Sequence, residues 1–188
     1  MNTLAKRLSA TAATLFLLTA TSMTSLAAEF TFNRIKISGN VKLEVVQGAD
    51  EKIAVEGDYS SRNTSIKRQG YTLIIKSNEY EPLTIKISVK DLQRIDASGQ
   101  VSVLTKGNLN LKYLQIFLQD QATANVKATT ESMYTFLQGS SHLNLSGITQ
   151  DHTLVMDSLA KLNMGNLLAT KTTTNTIPEV IAWSGKAK

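Results

Sequence analysis

Three segments of this chain align without a gap at a constant offset of 19 residues: Leu118 to Val126, Leu137 to Leu145 and Met156 to Met164. Asn125, Asn144 and Asn163 fall in one column of the alignment. Gln119, Gln138 and Asp157 fall in a second, and Val126, Leu145 and Met164 in a third. A shorter copy, Ile95 to Val103, lies about 21–23 residues earlier. A fixed period near 20 with short alternating strands means stacked coils. A leucine-rich repeat has a similar period but needs a dense L-x-x-L-x-L pattern, which is missing. The expectation is therefore all-β, with a short right-handed parallel β-helix of about 20-residue coils preceded by alternating strands. Like residues of successive coils would stack about 4.8 Å apart.

Stacking gives the columns physical roles. Val126, Leu145 and Met164 should point inward as an apolar ladder. The asparagines lie one residue earlier, so strand alternation turns them outward, where stacked amides can hydrogen-bond along the axis. A ladder of this kind is explained by structure alone. It is also the chain's best candidate for a polar binding face: Asn125, Asn144 and Asn163, with Gln119 and Gln138 beside them.

Upstream of the repeat the pattern is also β. Phe30 to Ile37, Val41 to Val45, Ile53 to Val55, Tyr71 to Lys76 and Leu83 to Val89 alternate apolar and polar residues, the signature of half-buried strands. Turn signals separate them at Ser38-Gly39-Asn40, Gln47 to Asp50, Glu56-Gly57-Asp58 and Gln69-Gly70. No amphipathic helix is evident past the first segment.

That first segment reads as an address. Lys6 and Arg7 precede an uncharged stretch, Ala10 to Ala20, and small residues before Ala28 place a cut after Ala27. This is a secretory signal peptide over 1–27, its apolar run too short to span a bilayer. The expected organisation is signal peptide 1–27, N-terminal strands 28–90, and coils with a C-terminal cap over 91–188, with 28–188 one continuous domain. Removing Lys6 and Arg7 lowers the formal charge from +5 to +3. The chain has no cysteine, which excludes disulfides, thiolate metal sites and a lipid-modified cysteine. No later stretch is apolar enough to span a membrane. Clustered cations are confined to Arg62, Lys67 and Arg68, too few for a nucleic-acid surface.

The order of Phe32 to Gly48, Val55-Glu-Gly-Asp58, Gly70 to Ile75, Leu83 to Val89 and Leu92 to Gly99 resembles the bacterial autotransporter-adhesin head GIN domain family over roughly 30–176. The resemblance implies an exported, single-stranded right-handed β-helix. It implies no catalytic activity and supplies no functional residues. The chain departs from the family in its turns. Only Ser98-Gly99 keeps the recurrent Ser-Gly, with Asp120-Gln121, Gly139-Ser140 and Ser158-Leu159 in the equivalent places.

Chemistry-bearing constellations are sparse. His142 and His152 are ten apart, about half a coil, and should face different ways. Ser141 adjoins His142, but strand neighbours point to opposite faces, so no nucleophile-base pair forms. No Arg follows Arg94, which disfavours a polysaccharide lyase. No P-loop, dinucleotide fingerprint, EF-hand or metalloprotease helix is present. No catalytic residue, cofactor or metal is expected. Ile181 and Trp183 are expected to cap the last coil. The expected role is a non-enzymatic envelope or surface module, its partner an unidentified polymer or protein. A polysaccharide-active enzyme and a ligand-free envelope scaffold are the alternatives.

Overall fold

A computed structural model describes residues 32–177. Signal peptide 1–27 and the cap residues Ile181 and Trp183 lie outside the described residues. The described elements are all strands: β1 (Arg34–Gly39), β2 (Val41–Gln47), β3 (Lys52–Glu56), β4 (Thr64–Gln69), β5 (Thr72–Ser77), β6 (Leu83–Val89), β7 (Arg94–Gly99), β8 (Ser102–Thr105), β9 (Leu109–Leu118), β10 (Thr123–Leu137), β11 (His142–Met156) and β12 (Lys161–Thr176). They form one curled, mixed sheet, a half-barrel around a shared core.

The sheet has two arms. In one, β6, β2, β8 and the start of β10 pair in parallel; in the other, β5, β1, β7, β9 and the end of β10 do. β10 and β11 belong to both arms and pair in parallel along their lengths, as do β11 and β12. The outer edges are antiparallel: β3 on β6 in one arm and β4 on β5 in the other. Both edge strands are short and carry Lys52, Lys67 or Arg68, features that discourage edge-to-edge association.

The alternation read from sequence sets which face is buried. Ile35, Ile37, Leu43, Val45, Ile85, Ile95 and Ile116 are fully enclosed, each at 1% exposure or less. Burying one such side chain contributes about 1.5–3 kcal/mol. The repeat columns hold through β11, whereas Met164, third in the apolar column, is only half-buried and falls where the register of β12 shifts. Asn125 pairs with Asn144 and Asn144 with Asn163, while Val126 and Leu145 are buried in register.

Two features depart from the expected short strands. The repeating units are strands of 15, 15 and 16 residues. β10 and β11 each invert their inward phase once. In β10 the buried positions run Ala124, Val126, Ala128, Thr130 and then Met133, Thr135, Leu137. Lys112–Tyr113, Glu131–Ser132 and Gln150–Asp151 mark the inversion in successive strands, a column of polar residues where one arm turns into the other. Lys112 and Glu131 lie 3.9 Å apart there.

A second corner column joins the arms at the strand ends. Gly39, Gly99, Asp120 and Gly139 all have φ in the left-handed region, between 60° and 96°. Gly39 and Gly99 are in register, and Gly139 packs on the Asp120 backbone. Ser38-Gly39 thus occupies the same corner as Ser98-Gly99, an equivalence that an offset of 60 positions concealed in the sequence.

Candidate functional site

The asparagine column lies on the open face of the first arm. Asn125 and Asn163 are exposed and Asn144 is half-buried, because the residues before and after them in each strand face the core. Asn144 Nδ2 donates to Asn125 Oδ1 at 2.6 Å. His142 Nε2 lies 3.3 Å from Asn144 Oδ1, so the ring holds the amide from the side. The ladder stops at that pair. Asn163 Oδ1 instead accepts the N–H of Gly165 at 3.0 Å. Gly165 is the extra residue of a bulge, where the pairing jumps from Asn144–Asn163 to Ser146–Asn166. Bulges re-aim side chains in this way.

The three asparagines share a groove of about 260 Å³ with Thr105, Lys127 and Asn166. Its polar groups are amides and hydroxyls, which both donate and accept, and one ammonium. The Lys127 backbone N–H is held by Thr105 Oγ1 at 2.9 Å. No carboxylate lines the groove, so it presents no acid or base pair for hydrolysis.

Gln119 and Gln138 are brought together elsewhere. Gln119 Nε2 donates to Gln138 Oε1 at 3.3 Å, at the strand ends beyond the Asp120 and Gly139 corner. They do not line the asparagine groove. Asp157, third in their column, is drawn into the turn. It accepts N–H groups from Gly139 at 2.7 Å and from Leu159 and Ala160 at 3.0 Å each. These bonds, led by that of Gly139, hold its carboxyl below the ordinary carboxylate range.

The histidines separate. His142 is half-buried between Thr123 and Lys161 in register. His152 is in the core, with Nε2 at 2.9 Å from Thr135 Oγ1, and burial pushes its pKa down. Among the described residues no group of three or more His, Cys, Asp or Glu is placed to hold a metal ion. No helix of the described residues is long and apolar enough to cross a membrane.

Sequence reading missed a second surface. Arg34 on β1 and Arg94 on β7 are direct register partners, and Lys36 pairs with Asp96. Together with Thr72 they line a shallow cleft of about 160 Å³. These cations are some 60 residues apart in the chain, so only the long-range pairing assembles them. The shared period of 60 between β1 and β7 was the available signal.

An all-β half-barrel of this kind is also seen in solved structures from Bacteroides and Parabacteroides. One, described as a putative adhesin from Bacteroides fragilis, matches with TM-score 0.68 and 18% identity over 84% of this chain and 77% of that one. A putative lipid binding protein from Parabacteroides distasonis matches at TM-score 0.66 and 12% identity, covering 82% and 78%. A putative adhesin from Parabacteroides merdae matches at 0.61 and 15%, covering 82% and 77%. At these identities the likeness is one of fold. Residues 31–177 match the family described as "Putative auto-transporter adhesin, head GIN domain", and the chain belongs to that family. No curated protein matches the sequence.

Proposed function

We propose that the chain is an exported, non-enzymatic surface or envelope module that binds a neutral, hydroxyl-rich polymer or a protein along its asparagine groove. The observation that carries this reading is the Asn144–Asn125 amide bond inside a groove lined by four asparagines. Amides fixed by their neighbours lose little freedom on binding, so many weak hydrogen bonds add up. The family's adhesin description supports a surface role.

The same reading takes the repeating strands after residue 91 as coils of a short right-handed parallel β-helix, in one continuous domain with the strands before them. The 19-residue steps between β9 and β10 and between β10 and β11 support it. A rigid stack suits display of a repeated polar face. Gln119 and Gln138 extend that face past the corner.

The test is retention of the full chain on a panel of insoluble neutral envelope and host polysaccharides, beside a folded N125A/N144A/N163A variant. Retention that the triple change abolishes supports the groove. Absence of retention on every polymer rejects the polymer and leaves a protein partner.

A further inference from the structure

The geometry points to a second binding site: the cleft of Arg34, Lys36, Thr72, Arg94 and Asp96 takes an acidic sugar unit of an anionic polysaccharide. The cleft holds three cations against one carboxylate. It is on the outer face of the second arm, since Ile35, Ile37 and Ile95 point into the core.

The arrangement is electrostatically uneconomical for the isolated protein. Arg34 and Arg94 are directly opposite on paired strands, about 4.8 Å apart along the sheet. Like charges so placed are destabilising. Asp96 pairs with only one of them, its Oδ2 at 3.1 Å from Arg94. Arg34 and Lys36 are exposed and have no ion pair with any described residue. A ligand carboxylate bridging Arg34 and Lys36 would remove the repulsion and gain charge-assisted hydrogen bonds.

Arg94 is preorganised for this. Besides Asp96, its guanidinium carbon sits over the Phe117 ring, 3.8 Å from the centroid. Phe117 in turn touches Tyr134 and Phe136, with centroids at 5.5 and 5.7 Å. The register runs Lys36, Asp96, Phe117, Phe136 straight across four strands. Charged groups therefore pass into a band of mutually tilted rings along one line.

The mixture selects a sugar over other polyanions. Asp96 and Thr72 accept hydrogen bonds from hydroxyls, which nucleic-acid backbones and lipid phosphates offer sparsely. Arg94 covers one face of Phe117, so a base cannot stack there. Phe117, Tyr134 and Phe136 are half-buried and do not project far enough to enter a bilayer. Ring edges and the apolar faces of pyranose units can still meet along the band.

The probe is polygalacturonate immobilised on beads, with neutral dextran beads as control and the full chain at low ionic strength. Retention on polygalacturonate, absent on dextran and weakened by salt, is expected. R34Q should bind about tenfold more weakly while melting at the same temperature or higher, because a like-charge pair is gone. K36Q, which has no cation opposite it, is the second variant and should lose binding with its fold intact. N125A/N144A/N163A should bind as the parent does, which separates this site from the asparagine groove. No retention, or retention unchanged in R34Q and K36Q, overturns the site. Equal or tighter binding to single-stranded DNA or to phosphatidylglycerol vesicles overturns the sugar assignment.

Discussion

Asp157 accepts the N–H of Gly139 at 2.7 Å across one full repeat, and Asp120 accepts the N–H of Gly99 at 3.0 Å in the same manner. The corners at Gly99 and Gly139 are thus each closed by a carboxylate from the following repeat. The bonds satisfy N–H groups that the turn removes from the strand ladder.

Replacing Asp157 by Ala opens three of these N–H bonds and should cost about 1–2 kcal/mol at neutral pH. Its carboxyl is held below the ordinary range, chiefly by the Gly139 N–H. A depressed carboxylate stabilises the fold above its unfolded pKa, and that contribution is lost as pH falls through the folded value. Urea midpoints of parent and D157A should therefore differ most near neutrality and converge in acid.

His152 carries the opposite chemistry with the same sign of slope. Burial lowers its pKa, so the unfolded chain binds the proton more readily. Stability is full above the unfolded value of about 6.5 and declines as pH is lowered through it. H152Q should remove that part of the decline. Urea unfolding at a series of pH values between about 8 and 5 measures it. An unchanged slope would contradict the assignment.

Gly147 and Gly57 separate crowding from conformation. Both have φ near +100°, at 113° and 97°. A Cβ on Gly147 would lie 2.0 Å from the Ala128 carbonyl oxygen, whereas nothing lies within 4 Å of one on Gly57. G57A should cost about 1–2 kcal/mol, the strain alone. G147A should cost about 3–4 kcal/mol, since β10 and β11 must also move apart. Equal losses in chemical denaturation would show that crowding at β10 has been overrated.

Thr130 and Thr149 form a buried hydroxyl pair, with Thr130 donating at 2.8 Å and Thr149 donating onward to the Asp151 carbonyl at 3.1 Å. T149V strands the Thr130 hydroxyl and should cost about 1–3 kcal/mol. T130V/T149V removes both ends and should cost less than the sum of the single changes. A double-mutant cycle by urea denaturation tests it, and simple additivity would refute the coupling.

Much of this was legible in the chain. Period-two alternation placed Ile35, Ile37, Leu43 and Val45 inside, because a strand with one wet face has no other solution. The repeat set the Asn125–Asn144–Asn163 register, since a one-residue slip would turn Leu143 and Leu145 to solvent. The bulge at Gly165 was not legible: alternation gives no sign of one extra residue until the partner strand is known. Nor was the phase inversion at Glu131 and Gln150, which makes one bent strand look like two short ones. The basic cleft was hidden because Arg34 and Arg94 meet only through pairing across the intervening hairpins. Ser38-Gly39 was read as an ordinary turn rather than a corner of the stack for the same reason.

The constant step from β9 to β10 to β11 makes the length of this molecule quantised. Excising one residue from β11 would reverse its inside and outside from that point on. Excising a whole 19-residue unit would leave inside and outside of the following strand unchanged, although it would bring unlike corner residues together, since Gly99, Asp120 and Gly139 alternate. Changes of length in whole units keep the strand faces, and changes by a single residue reverse them. Variation in height comes cheaply, while the cross-section stays fixed.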